Sequence, residues 1–378
     1  MLTQRQIINR RYLKRARTSV DSMMLAVLLM LLMGGILILF SATYYQALRK
    51  GDALLEVKRQ LIGIALGAVL MLITCRIPYT FWRKRVVVLG SLGVSLILLI
   101  LVIIPGVGVY LNGSRRWLNI AGMSFQPSEM AKIASVLFLA AALDERKNQL
   151  DKMLTGIVPL LVVPGIFFVL ILEQPNLSTA GSIMIAAVLM LLIAGAKWKH
   201  LSLLGVCGLC LGMVYAWIEP YRRERLLSFR DPFAQMSDEG YQLAQSLIAI
   251  GSGGLFGRGL GQGRQKFSYL PYPESDFIFA IVGEDFGLLG CTVVILLFLA
   301  FAFAGMRIAV NCPHRYGSLL AAGLTAMITL QAVLNIAVVI GMMPTTGLPL
   351  PFFSAGGTSV SLLMASAGII LNVSKTHR

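Results

Sequence analysis

Ser275-Asp276-Phe277-Ile278-Phe279-Ala280-Ile281-Val282-Gly283-Glu284-Asp285 sets three carboxylates in the opening turns of an apolar run that continues to residue 306. An ionisable side chain near the middle of a bilayer costs about 2.5–3.5 kcal/mol on insertion scales, so carboxylates kept there face a cavity or a partner. Whether this run is a membrane span therefore decides the fold. If it is, Asp276 is the first candidate for chemistry.

The surrounding sequence answers the first question. Of the 378 residues, 57% are hydrophobic and 13% are charged, about half the roughly 25% charged content of soluble domains. Mean hydropathy is +0.78. Apolar runs of about 18 residues or more recur along the chain, each long enough to cross about 30 Å of hydrocarbon as a helix. The expected fold is an all-α polytopic membrane protein with about ten transmembrane helices. Their approximate limits are 23–44, 58–75, 86–105, 127–143, 154–172, 179–196, 200–218, 274–306, 317–341 and 358–373. The eighth run is too long for one perpendicular helix, so it is expected to tilt or to start above the membrane plane. The expected organisation is a basic tail over 1–22, one transmembrane domain over 23–373 with a large external loop at 219–273, and a short tail at 374–378.

The net charge of +16 does not point to nucleic acid once its distribution is read. Arg5, Arg10, Arg11, Lys14, Arg15 and Arg17 precede the first span. Further basic residues fall in alternate loops, among them Arg83, Lys84, Arg146, Lys147, Lys197, Arg307 and Arg315. Cytoplasmic loops carry this excess of Lys and Arg, so both termini are expected on the cytoplasmic side. The run 23–40 exceeds the core of a signal peptide, about 7–15 residues, and reads as a retained anchor. The five cysteines include a Cys207-x-x-Cys210 pair inside an apolar run. With no second ligand pair, these two read as buried small hydrophobes.

The external loop breaks the charge trend. It carries Arg222, Arg223, Arg225, Arg230, Arg258, Arg264 and Lys266, with seven glycines between 251 and 263. Two readings of the arginines stay open: a solvated basic surface near lipid headgroups, or an anion site, for which guanidinium forks suit phosphate oxygens. The glycines allow backbone amides to approach an anion, or equally a re-entrant segment packed at membrane depth.

Only His200, His314 and His377 exist, and the topology puts all three at the cytoplasmic side. Acid–base chemistry on the outer face must then fall to carboxylates. Asp276 is expected either to cap its helix or, desolvated, to act as a base. Glu284 and Asp285 lie about 12 Å deeper along a helix and are expected to pair with a cation structurally. Glu129 and Lys132, three apart on one helical face, are expected to form a neutralised pair facing the bundle, with Lys132 lining a cavity. Arg115 and Arg116 form an external pair beside Trp117. The Pro- and Gly-dense stretch from Pro344 to Ser359 cannot be regular helix and is expected to fold back into the bundle.

These motifs, in their order, resemble the SEDS family (shape, elongation, division and sporulation). They are Asn112 to Trp117, Gln126 to Lys132, Gln174 to Ala180, Tyr221 to Pro232, Gly240 to Gln242, the glycine-rich stretch, Asp276 to Gly287, and Pro344 to Ser359. The likeness runs from about residue 25 to 372, and the Lys266-to-Pro271 run looks most like the family's division and sporulation branches, with the division branch favoured. It implies a ten-span peptidoglycan glycosyltransferase that polymerises lipid II on the outer face of the bacterial cytoplasmic membrane. The implied partners are a class B penicillin-binding protein transpeptidase and other division proteins. Asp276 stands at the family's essential aspartate, which favours a base over a cap. The expected substrate-binding set is Arg115, Arg116, Glu129, Lys132, Arg222 and Arg258. No protein metal ligand is expected, and a divalent cation beside the pyrophosphate stays open. The alternatives are a lipid II flippase, although no internal repeat of the kind transporters carry is seen, and a silent scaffold for a transpeptidase.

Overall fold

The structure, a computed structural model, describes residues 20–49, 51–111, 114–120, 123–218, 220–234, 240–267 and 269–376. The basic residues from Arg5 to Arg17, Asn112, Gly113, Ser268 and His377 lie outside the described residues. Each expected apolar run corresponds to a helix: α1 (Ser22–Arg49), α2 (Leu55–Arg76), α3 (Arg85–Ile103), α4 (Pro127–Glu145), α5 (Val158–Leu172), α6 (Leu177–Ile193), α7 (Trp198–Ile218), α10 (Ile278–Asn311), α11 (Arg315–Val339) and α12 (Gly357–Ser374). Eight are long and apolar enough to cross a membrane, α5 together with the π-helical turn that leads into it. The other two are α6, which is a little short, and α4, whose Glu129, Lys132 and Asp144 raise its charge.

Large apolar side chains lie exposed on the outward faces, Met33 and Leu37 on α1 and Leu296, Leu299 and Phe303 on α10 among them. That arrangement suits a chain whose solvent is lipid. Inside, α2 packs most extensively against α12. Close approach is possible because Gly63 faces Gly357, where a Cβ would stand 2.3 Å from the opposing Cα. The opposite extreme is α7, of which 6% is buried, against 72% for α12. Cys207 and Cys210 sit on α7 and are exposed, so their expected burial is corrected: the bundle barely covers that helix.

Two features were not expected. Residues 108–125 fold as a three-stranded antiparallel sheet, β1 (Gly108–Leu111), β2 (Ser114–Ile120) and β3 (Met123–Phe125), an addition to an otherwise helical fold. The long segment between α7 and α10 contains two helices, α8 (Pro220–Arg230) and α9 (Tyr241–Gly253). α9 buries Leu243, Ala244 and Ala249 as it packs against α10, and its Ser246 Oγ donates to the Val339 carbonyl at 2.8 Å, at the end of α11.

The length of the eighth run is resolved by a break. Gly287 has φ 64° and ψ −159°, so α10 is two helices meeting at that residue. A break in hydrocarbon frees backbone groups that water cannot reach, and the glycine-rich stretch answers them. Arg258 N donates to Glu284 O at 2.9 Å and Gly259 N to Asp285 O at 3.0 Å, while Leu288 N donates back to Gly254 O at 2.9 Å. Of the two readings of the glycines, the structure supports the packed segment. A Cβ on Gly287 would stand 2.4 Å from Gly257 N. Gly287→Ala is therefore expected to lower thermal stability in detergent by about 1–3 kcal/mol of backbone strain, with overpacking in addition. Gly90→Ala, on the open face of α3 with nothing within 4 Å of its added Cβ, is the control that leaves stability unchanged or slightly raised.

Candidate active site

The turn that carries Asp276 is built by its neighbours and not by its own helix. α10 starts at Ile278 after Phe277, and no side chain caps it. The capping expectation for Asp276 and Ser275 is thereby corrected. Three consecutive carbonyls of the turn are instead gripped from the C-terminal part of the chain. Ala355 N donates to Glu274 O at 2.8 Å. Ser354 Oγ donates to Ser275 O while accepting from Leu350 N at 2.8 Å. Asn335 Nδ2 donates to Asp276 O at 2.6 Å and to Leu348 O at 2.7 Å.

The segment that supplies most of these donors is the stretch expected to fold inward. It does so, with Leu348, Leu350, Phe352, Phe353 and Ser354 buried. Gly347 lies against the Asp276 carboxyl, where a Cβ would stand 3.8 Å from Oδ2. Ser178 Oγ on α6 donates to Thr346 O at 2.6 Å and holds the same loop from the far side.

Asp276 itself is half-buried and lies two residues ahead of the membrane-spanning part of α10. Burial pushes its carboxyl above the usual carboxylate range, while the guanidiniums of Arg225 and Arg116 pull it back down. Arg225 is a residue that the sequence expectation did not single out. It sits on α8, one of seven basic residues in the loop, and only the fold separates it from the others.

The expected arginine pair does not act as a pair. Successive side chains of a strand point to opposite faces, and both residues lie on β2. Arg115 stands 5.8 Å from the Tyr110 ring centroid. Arg116 turns the other way, its Nε donating to Gln174 O at 3.1 Å and its NH2 to Pro175 O, just ahead of α6. There Asn176 caps α6, its side chain accepting from Thr179 N at 3.2 Å. Arg258 is not brought to Asp276. It is exposed on the glycine-rich stretch, with Nε donating to Ser252 O at 3.1 Å. The side chain of Arg222 lies outside the described residues.

Glu129 and Lys132 form the expected buried pair at 2.7 Å, 4% and 3% exposed. Lys132 Nζ also donates to Gln331 Oε1, and Gln331 Nε2 donates to Pro349 O at 2.9 Å. Ser359 Oγ donates to Glu129 Oε2 at 3.3 Å. Gln331 and Asn335 stand one turn apart on α11, so a single helical face joins the Lys132 pair to the loop and the loop to the Asp276 turn. Sequence reasoning missed both carboxamides, although two amides four residues apart in an apolar run are a legible signal.

The deeper carboxylates are structural, as expected. Lys266 Nζ lies 3.0 Å from Asp285 Oδ1 and donates to Ser41 Oγ at 2.9 Å, and both ion-pair partners are buried. Lys266 is thus withdrawn from the basic surface to which its loop position assigned it. Glu284 accepts from Arg264 N at 2.6 Å and Gln265 N at 3.2 Å. Among the described residues, no group of three His, Cys, Asp or Glu side chains forms a metal site. Between α1 and α10 runs an apolar groove of about 410 Å³, lined by Gly34, Leu37, Phe256, Phe286, Leu297 and Phe353 among others.

Residues 21–378 match the FtsW/RodA/SpoVE family, described as "Cell cycle protein". Stage V sporulation protein E of Bacillus subtilis (strain 168) is 41% identical over 366 residues, which cover 96% of this chain and 99% of that protein. A probable peptidoglycan glycosyltransferase FtsW of Geobacter sp. (strain M18) is 35% identical over 360 residues, covering 95% and 97%. A solved structure described as the structural coordination of polymerization and crosslinking by a peptidoglycan synthase complex superposes with a TM-score of 0.76 at 27% identity, covering 94% of this chain and 98% of that one.

Removing one member of a buried ion pair strands the other charge, at about 3–5 kcal/mol. Lys266→Met is therefore expected to destabilise the protein by about that amount in detergent melts. Lys266→Met combined with Asp285→Leu should recover most of the loss.

Proposed function

The chain belongs to the FtsW/RodA/SpoVE family of cell cycle proteins and is a multi-pass membrane peptidoglycan glycosyltransferase of cell-wall synthesis; from that premise we propose that it polymerises lipid II on the outer face of the cytoplasmic membrane with Asp276 as general base. Asp276 takes the proton of a sugar hydroxyl on the acceptor. That oxygen forms a bond to the anomeric carbon of the growing, lipid-linked donor as the bond from that carbon to the pyrophosphate breaks. One base and a single displacement invert an α-linked donor to a β linkage. The leaving group departs as lipid pyrophosphate, and the guanidiniums of Arg116 and Arg225 offset its developing charge.

The observation that carries this reading is a carboxylate set on a turn whose carbonyls are held from the C-terminal part of the chain, with Gly347 of the inward loop lying against it. Burial raises the Asp276 carboxyl above the usual carboxylate range, while its own backbone hydrogen bond and then the charges of Arg225 and Arg116 act to lower it. Lys132, neutralised by Glu129, is tied through Gln331 to the loop that lies against Asp276. The apolar groove beside Phe353 suits an isoprenoid tail, which would hold the reacting sugars near each other without a soluble binding domain. The working assembly includes a class B penicillin-binding protein transpeptidase and other division proteins, with both termini cytoplasmic and the protein gathered at the septum.

Purified protein with its transpeptidase partner and lipid II in detergent provides the test. Asp276→Asn is expected to reduce polymer formation by about 10²–10⁴-fold while leaving the melting profile near that of the parent. Lipid II translocation in liposomes without any polymer would favour a flippase instead.

The charge balance gives a second expectation. A base works when deprotonated, so activity should rise with pH through a value above the ordinary carboxylate range. Taking away a cation that lowers that value moves it up. In Arg225→Gln the acid limb of the pH–rate profile is expected at higher pH than in the parent protein.

A further inference from the structure

Glu274, Ser275 and Asp276 present three successive carbonyls, and each accepts a hydrogen bond from the C-terminal part of the chain: from Ala355 N, Ser354 Oγ and Asn335 Nδ2 respectively. Such a grip is not needed to start the helix. α10 begins beyond these residues, and a chain preceding a helix N-terminus ordinarily uses a side-chain cap or none. Nor is it a solvent-facing convenience. Ser354 is 4% exposed and Asn335 is 1% exposed.

Both side chains are saturated on the donor side by this one task. The Asn335 amide spends its NH2 on Asp276 O and Leu348 O, while its Oδ1 has no hydrogen-bond partner. The Ser354 hydroxyl donates to the turn and accepts from its own loop at Leu350 N. A buried acceptor left unanswered costs about 1–3 kcal/mol, and Asn335 bears that for Oδ1 while its nitrogen bridges the turn and the loop.

We infer that Asn335 and Ser354 are positioning residues for the glycosyl transfer: by gripping the main chain at Asp276 and Ser275 from α11 and the 344–356 loop, they fix the direction in which the Asp276 side chain leaves the backbone. The grip falls on the carbonyls and leaves the carboxylate oxygens out of it. The same loop lays Gly347 against that carboxylate, so the group that orients the base also shapes the space in front of it. Neither residue touches substrate in this account; both act through Asp276. The inference rests on the proposed role of Asp276 and is tested beside it.

The experiment uses the full chain with its transpeptidase partner, lipid II as substrate, and initial rates of glycan formation on monodisperse protein. The variants are Ser354→Ala, which removes one oxygen; Asn335→Leu, which keeps the side-chain volume but loses the donor; Ser354→Thr, which keeps the hydroxyl; and each loss variant combined with Asp276→Asn. Misplacement of a reacting group by about 1 Å costs on the order of 10²-fold. Ser354→Ala and Asn335→Leu are therefore expected to lower kcat by about 10- to 100-fold with KM within about twofold of the parent. Ser354→Thr should retain most of the parent kcat. In the Asp276→Asn background neither loss variant should reduce the residual rate further, because groups that act as a unit are not additive.

Equal fractional losses in both backgrounds, a rise in KM with kcat unchanged, or a parent-like kcat in both loss variants each overturn the positioning role and leave Asp276 as base. Should Ser354→Ala fail to yield folded protein, Asn335→Leu with its kcat and double-variant readings decides alone. Full activity in Asp276→Asn itself overturns both readings together.

Discussion

A backbone amide or carbonyl inside hydrocarbon must find a partner within the protein, and the part of this chain around the first part of α10 is arranged to meet that demand. The helix breaks at Gly287, and the carbonyls it frees are taken by amides of the 253–259 stretch. Bringing that stretch to membrane depth carries residues 263–266 in with it. There, amides close on the Glu284 carboxylate and Lys266 reaches Asp285 and Ser41. The two inner carboxylates therefore belong to the support of the break and not to the turn that carries Asp276.

The loop beside that turn follows the same rule from the other side. Residues 344–356 enter the bundle without helical bonding, and side chains on helices answer their carbonyls: Gln331 at Pro349, Asn335 at Leu348, Ser178 at Thr346. A proline- and glycine-rich segment thereby becomes as well anchored as a helix while keeping an open, irregular surface. A segment of that kind can hold a fixed geometry, which suits a reaction that relies on orientation and charge more than on enclosure.

Much of this was legible beforehand. Hydropathy located the spans, because long apolar runs have few other uses, and spacing located the Glu129–Lys132 pair, because three residues apart on a helix are neighbours. Proline and glycine density announced that 344–359 would enter as irregular chain. What stayed hidden depended on partners far off in sequence. Gly287 looked like any glycine in a membrane helix; the Leu255 and Gly257 backbone, which leaves no room for a Cβ there, lies far off in sequence. Lys266 read as one more loop cation until Asp285 and Ser41 converged on it. Arg115 and Arg116 looked like a pair because a strand was not foreseen, and strand geometry sends them apart. The Cys207–Cys210 helix was assigned an interior place by its apolarity, which in a bilayer marks the outside equally well.

The polar contacts that close the bundle join its two chain ends. Asp21 N meets Ser374, 353 residues away, Gln60 meets the Ser354 carbonyl across 294, and Ser41 meets Lys266 across 225. Translation delivers these partners in the reverse of the order in which they are needed. The first two hairpin helices reach the bilayer with bare hydroxyl and carboxamide groups and wait through most of synthesis for an answer. Contacts this distant in sequence carry a high loop-closure cost and form late. Loss of α12 would accordingly cost more than one span, since it strips α2 of the helix it packs against most extensively and Asp21 of its Ser374 partner.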